Sequence, residues 1–558
     1  MEQIIHHKTC SNSICGKEFP ITDRDQGFYK KMDVPEPSMC PDCRLQRRLL
    51  FRNERNLYHN TCGLCNKSIV TINSSDKPYP VYCTTCWWGD SWDPISYGRD
   101  FDFDRPFFEQ FKELWDSVPK LQFLVLGDNI NSDYSQDSYK MVNCYLVFEA
   151  EQSKDCYYGE TCYQLIDCCD FLCLKSSELC YECVNCTDCY NVDFSRYCNN
   201  CADSQFLLNC KGCRSCFGCV NLQNKSYYIF NKSYSKEEYE KLVAQYKLGN
   251  SINLEDFKMK IEEFFRKFPQ KNLHGIMNEN VTGENISNCK DTFECFSCDG
   301  LRDCKYCTNM MGGANDCYDV DIWGNKLDLA YNSAGIGDGC QNIVASYYTC
   351  IGVKDVYHSI FCMNNNNDLL GCVGLHQKKF CILNKQYSED EWHEMFRKIK
   401  GHMIGTGEWG EFFPPSLSAF GYNETVAQEY FPLTREEALE RGFKWKEEDA
   451  REYIPQTYAI LEDISDVPDG VCQEVLACTD CSKNFKIIPQ ELKLYRKKSL
   501  PIPRKCPDCR HMDRLALRNP RKLWDRGCSA CSCAIKTSYS PGRPEKVLCE
   551  KCYLEEVY

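Results

Sequence analysis

The stretch DCYNVDFSRYCNNCADSQFLLNC, residues 188–210, runs from Cys189 to a counterpart 21 positions on, Cys210. Outward from it, Cys144, Cys168, Cys189 and Cys210 are separated by 24, 21 and 21 residues, and Cys162 to Cys183 and Cys180 to Cys201 again give 21. Farther along, Cys295, Cys317, Cys340 and Cys362 are separated by 22, 23 and 22, and Cys350 to Cys372 gives 22. A fixed period near 22 predicts a repeat architecture with one coil per repeat and side chains stacked in ladders. The residues beside these cysteines are short, β-prone or turn-forming (Asp167-Cys168, Asp188-Cys189-Tyr190-Asn191, Asn209-Cys210) and lack a 3.6-residue period. The pattern predicts parallel β-solenoids.

There are two arrays, and they close alike. Cys219-Val220-Asn221-Leu222 leads to Ile229-Phe230-Asn231-Lys232 and Ser235-Lys236-Glu237-Glu238; adding 153 gives Cys372-Val373-Gly374-Leu375, Ile382-Leu383-Asn384-Lys385 and Ser388-Glu389-Asp390-Glu391. Ser235 with Glu238, and Ser388 with Glu391, are capping boxes that start helices over the open end of each stack. This places the first solenoid at 122–232 with capping helices to 270, and the second within 271–403, its coils at about 275–385 and its helix behind them. The second array carries Asn366 and Leu369 where the first has Cys213 and Cys216. Exchange of Cys for Leu suits packing, so the ladder thiols are expected to be reduced and metal-free.

The chain has 558 residues and 45 cysteines, too long for one ordinary core and with an odd thiol total that fits a complete disulfide framework poorly. No run approaches the ~18–20 apolar residues of a membrane span, and the first residues lack the basic flank and apolar core of a secretory signal. The expectation is a cytoplasmic chain with reduced thiols.

The two ends are one module used twice. Near the start lie Cys10, Cys15, Cys40, Cys43, Cys62, Cys65, Cys83 and Cys86; near the end lie Cys478, Cys481, Cys506, Cys509, Cys528, Cys531, Cys549 and Cys552. Adding 466 carries every position from Cys15 onward to its partner, along with Phe19 to Phe485, Tyr29 to Tyr495 and Cys-Pro-Asp-Cys-Arg at 40–44 to 506–510. Only the first knuckle differs, Cys10-x4-Cys15 against Cys478-x2-Cys481. Paired knuckles 15–25 residues apart are the zinc-ribbon spacing, in which four thiolates complete a closed tetrahedron. Two sets at each end predict about four structural zinc ions, with tandem ribbons over 1–90 and 471–558.

Phe19…Gln26…Phe28-Tyr29…Pro37…Cys40-Pro41-Asp42-Cys43-Arg44 resembles the bacterial "probable zinc-ribbon" treble-clef family. The whole chain, with Trp87-Trp88-Gly89-Asp90 and Asp93-Pro94…Tyr97-Gly98-Arg99-Asp100-Phe101-Asp102-Phe103, is similar to long cysteine-rich zinc-ribbon proteins of small-genome bacteria. The resemblance implies architecture and no activity.

Charge is uneven. Residues 472–558 carry 18 Lys+Arg against 10 Asp+Glu, net +8, and residues 1–90 carry 12 against 10, net +2; with −14 overall, the middle holds −24. Arg44, Arg48 and Arg52, then Arg55, follow the first module's second knuckle; Arg510, Arg514 and Arg518, then Arg521, follow its copy. Four-residue spacing sets such arginines on one helical face, which suits phosphate contact as a nucleic-acid site with RNA among the candidates, or contact with an acidic protein. The same face is equally suited to the carboxylates of the acidic solenoid. No Walker loop, HExxH or nucleophile elbow is present, so catalysis is not expected; the alternative is a β-solenoid enzyme acting on glycans. The remaining segments are a linker at 91–121 with an amphipathic helix over 100–118, and a helical or extended linker at 404–470 with a helix capped at Thr434 and an acidic run from Glu447-Glu448-Asp449.

Overall fold

Every third residue of the first array has a left-handed backbone: Asn143, Leu146, Glu149, Gln152, Asp155, Tyr158, Thr161 and so on beyond Asn209. In this computed structural model, which describes residues 2–447 and 453–557, those residues are the corners of a four-sided coil. Of the acidic run, positions 448–452 lie outside the described residues. Each side is three residues long, and its first residue points inward: Cys180, Cys183, Cys186 and Cys189 fill the interior of one coil. A left-handed corner costs an ordinary residue about 1–2 kcal/mol, least for Asn and Asp. Stacked amides offset this, as where Asn131 donates to Asn143 and Asn143 to Asp155.

The chain is mainly β, with 31% strand and 24% helix, and both arrays are parallel β-solenoids with cysteine clusters near the termini. Their coil length corrects the 22-residue expectation. Tyr157 pairs with Tyr145 before it and Cys169 after it, so the first array repeats every 12 residues. In the second, Phe296 pairs with Thr308 and Leu369 with Cys381, again 12 residues apart, but the middle coils are 13 long, with Cys317 paired to Ala330 and Ala330 to Ile343. The extra residue sits in a widened side such as Met310–Ala314, where Gly312 and Gly313 take positive φ. Inward positions recur every three residues, so the 21-residue spacing is 12 + 9: it joins one inward position to a different one on the next coil.

A coil this narrow has little room inside, which explains its residues. Cys180 Sγ lies 3.4 Å from the Glu178 carbonyl and 3.8 Å from that of Cys189, and Cys186 repeats the arrangement with Val184 and Ser195. Serine takes the same positions: Ser177 and Ser195 donate to the carbonyl two residues back and accept the N–H twelve residues on. Asn366, at the position of Cys213, donates to the Met363 and Leu375 carbonyls. Cysteine here is a small buried side chain whose S–H meets a carbonyl. All of the cysteines are unbridged.

Both arrays close on an antiparallel hairpin, Ser226–Ile229 with Lys232–Ser233 and Lys379–Ile382 with Lys385–Gln386. Asn231 and Asn384 bond both backbone groups of Val220 and Val373 in the last coils. The capping boxes at Ser235, Ser388 and Thr434 all form. The expected linker helix is Phe107–Ser117, with Phe107, Phe111 and Leu114 buried.

The end modules cross over. The first unit of the N-terminal module packs on the second array, with Phe28 stacked on Tyr318 at 3.8 Å and Lys305 buried against Asp25 at 2.8 Å. Its second unit pairs Val81–Tyr82 with Lys120–Leu121, just before the first array. The C-terminal module mirrors this. Tyr495 meets Tyr181 of the first array edge-on, and Val547–Leu548 pairs with Gln270–Lys271, just before the second. Each end therefore bridges both arrays.

Candidate metal centres and the arginine clasp

Each four-thiol group is built from two local devices. In the first, Cys10 and Cys15 flank the turn between Ile4–Thr9 and Glu18–Thr22, while Cys40 caps the helix Pro41–Leu49 and Cys43 sits in its first turn. Pro41 at the first helical position fixes where that helix begins and so where Cys43 points. The copy uses Cys506, Pro507 and Cys509 on the helix Pro507–Ala516.

The structure gathers Cys10, Cys15, Cys40 and Cys43; Cys62, Cys65, Cys83 and Cys86; and Cys478, Cys481, Cys506 and Cys509, each set with its sulfurs within 4.8 Å of one another. Neighbouring knuckles in sequence thus pair, and the longer Cys10–Cys15 loop still delivers both thiols. The fourth set brings together Cys528, Cys531, Cys549 and an unexpected thiol, Cys533, with Cys552 in reach of Cys549 and Cys531. Cys533 corresponds to Lys67 in the N-terminal copy, so the duplication gave no sign of it.

Four sulfurs around a tetrahedral ion at about 2.3 Å lie about 3.8 Å apart. Across the knuckles, Cys15 lies 3.7 Å from Cys40, Cys65 3.9 Å from Cys83, Cys481 3.7 Å from Cys506 and Cys531 3.9 Å from Cys549. A disulfide at about 2.05 Å does not fit that spacing. Backbone N–H groups also aim at sulfur: Cys40 N at Cys10, Cys83 N at Cys62 and Cys549 N at Cys528, each 3.3 Å. Burial raises Cys62 and Cys528, but these donors outweigh it and bring both to about 6; Cys478 comes to about 7 in the same way. Cys43 goes the other way, pushed up by its hydrogen bond to Cys40 and by burial. At least one thiolate in each four-thiol group forms easily, Cys40, Cys62, Cys478 and Cys528 among them, and the rest need a cation to neutralise the site. The residues fit closed metal sites.

The eight arginines expected on an exposed basic face are turned inward. Arg44 bonds Asp319 at 2.9 Å; Arg48 bonds Asp321 at 2.6 Å and Asn332 at 3.0 Å. Arg48 is fully buried, and so are Asp319 and Asp321. Arg52 reaches the other way, to Glu54 and to Glu149 of the first array, and Arg55 lies 3.7 Å from Glu160. The copy does the same with the arrays exchanged. Arg510 and Arg514 share Asp170 of the first array at 3.2 and 2.8 Å, Arg518 reaches Ser297 at 3.0 Å and Arg521 reaches Asn309 at 2.8 Å. Arg44 lies over Tyr306 and Arg510 over Tyr158. Each row is a staple between the two solenoids. The expectation of a solvent-facing phosphate surface is corrected on this point: a helical arginine face meets whichever acids the fold presents, and here they belong to the same chain.

The described residues enclose a small cavity of about 30 Å³ lined by Phe51, Trp115, Tyr347 and Phe361, and border a cleft of about 220 Å³ with Arg55, Asn423, Glu429, Asp508 and His511. The alternating carboxylates before the linker helix are structural, Asp100 pairing with Lys385 and Asp102 accepting the Asp104 N–H. Among the described residues no helix is long and apolar enough to cross a membrane.

No family model matches the chain, and no curated protein matches it. Among solved structures, one described as a "putative acetyltransferase" from Desulfovibrio desulfuricans G20 aligns with 46% of this chain and 68% of its own, at 11% identity and a TM-score of 0.11. That likeness carries no argument about fold or activity.

Proposed function

We propose that the protein is a zinc-clasped scaffold: two β-solenoids held side by side by tandem zinc ribbons whose own folding depends on the ion. The observation that carries this reading is the crossed docking of the two arginine rows. Closed four-thiolate sites supply folding energy and leave no position for a substrate. Each helix bearing an arginine row starts at a pair of these thiolates, so metal binding sets the direction of the guanidinium groups. Solenoids expose long lateral surfaces, and holding two in fixed register makes a broad platform for binding.

A nucleic-acid or acidic-protein partner remains part of the proposal through other residues. The C-terminal module keeps its net charge of +8, and Lys493, Lys497, Lys522 and Lys551 stay exposed on it. Such contact is electrostatic and weakens steeply with salt. The test is hydrogen exchange before and after zinc is stripped with a thiol-blocking mercurial. The proposal expects amides of Pro41–Leu49 and Pro507–Ala516 to lose protection while the inner rungs of each array keep theirs. Unchanged protection of both helices after zinc release would overturn it.

A further inference from the structure

The duplication that organises the molecule also breaks inside the clasp. His511 and Glu160 meet in the C-terminal half of the clasp, and their counterparts are Leu45 (511 − 466) and Asn309, which occupies the position facing Arg521 as Glu160 faces Arg55. Where the N-terminal copy has an apolar residue and a neutral amide, this copy has an imidazole and a carboxylate. A third group joins them from the connecting segment, Glu429 on the short helix Val426–Tyr430. His511 Nε2 lies 3.4 Å from Glu160 Oε2 and 3.5 Å from Glu429 Oε2, and the three atoms lie within 4.8 Å of one another.

Glu160 and His511 are almost fully buried, at 3% and 1% exposure. Neither is satisfied: Glu160 Oε2 and His511 Nδ1 have no hydrogen-bond partner. Arg55 stands 3.7 Å from Glu160 Oε2, too far for a hydrogen bond, and its other amine is drawn to Asp508 at 3.3 Å. A buried carboxylate oxygen without a partner is costly, and a cation is the usual remedy. Three ligands bound at about 2.1 Å in a tetrahedral arrangement are separated by about 3.4 Å, close to the observed spacing. Glu429 and His511 also line the 220 Å³ cleft, beside Asn423, Gln428 and Asp508.

We infer that Glu160, Glu429 and His511 form a mononuclear divalent-cation site, separate from the thiolate centres, with an open position facing that cleft. One nitrogen and two carboxylate oxygens suit Mn²⁺, Fe²⁺, Co²⁺ or Zn²⁺. The ion would tie the first array, the connecting segment and the C-terminal module together at one point, and its open position would hold water or a small anionic ligand.

Mn²⁺ is the probe of choice because it favours oxygen and nitrogen over the thiolates of the four other centres. Mn²⁺ is titrated into the intact, zinc-loaded chain at neutral pH and free ion is read by electron paramagnetic resonance. The inference expects one bound Mn²⁺ per chain. Glu429→Gln, at the cleft rim, should weaken binding at least tenfold with zinc content unchanged, and Glu160→Gln should do the same. Wild type binding no Mn²⁺ at millimolar concentration would overturn the site, as would Glu429→Gln binding it as tightly as wild type. Both outcomes leave the zinc reading intact, since zinc is counted separately.

Discussion

Replacing Arg48 by Met tests the clasp at its most buried point. The guanidinium bonds Asp321 at 2.6 Å and Asn332 at 3.0 Å, and it lies 3.4 Å from Asp319, all without solvent exposure. Methionine keeps the length of the side chain and removes the charge. Asp319 retains Arg44, but Asp321 keeps only the Thr308 hydroxyl at 2.7 Å. Removing one partner of a buried pair costs about 3–5 kcal/mol, because the other charge is left uncompensated. At about 1.4 kcal/mol per tenfold, opening of the docked helix becomes about 10²- to 10⁴-fold more frequent. Hydrogen exchange of the Pro41–Leu49 amides reads that change directly, as a fall in protection of the same size. Adding Asp321→Asn to Arg48→Met removes the stranded charge and should restore at least half of the loss. A cost below about 1 kcal/mol for Arg48→Met, or a double variant that simply adds the two single costs, would refute the buried staple.

Other outcomes follow from the same structure. His358 is buried beside Phe107, Trp409 and Phe413, and burial brings its pKa to about 3. The unfolded chain, with its histidine near 6.5, then binds more protons between pH 6.5 and 3, so stability falls as pH drops through 6.5, by up to about 1.4 kcal/mol per unit. His358→Phe should flatten that slope in urea midpoints taken between pH 5 and 7; an unchanged slope refutes it. In the ladders, Cys189→Ala should cost roughly 1–3 kcal/mol and Cys189→Ser less, because serine already fills Ser177 and Ser195, and neither should alter metal content. At the five-thiol centre, Cys528→Ser should lower the metal count by one and Cys533→Ser should leave it unchanged; loss of metal from Cys533→Ser would make that thiol a required ligand.

Much of this was legible in the residues. The 466-residue duplication marked the knuckles, and the structure gathers them, with Cys533 added to the last group. The 153-residue shift located both array ends and their capping boxes, since these depend on neighbours a few residues apart. Coil length was not legible, because inward positions recur every three residues and cysteine fills only some of them, so spacings of 21 and 24 arise from a 12-residue coil. The destination of the arginines was hidden for a different reason. Asp319 lies 275 residues from Arg44 and Asp170 lies 344 from Arg514, so nothing local tells a phosphate-binding face from an internal staple. His511 and Glu160 stand out only once the copies are compared in space, where Leu45 and Asn309 take their places.

The central claim is that four closed thiolate centres hold the clasp, and the zinc content of the intact, undamaged protein tests it most directly. Elemental analysis by plasma mass spectrometry, on chains purified without added metal or chelator, should find about four zinc ions per chain with the thiols reduced. Two or fewer, or disulfides linking the knuckles, would contradict the account.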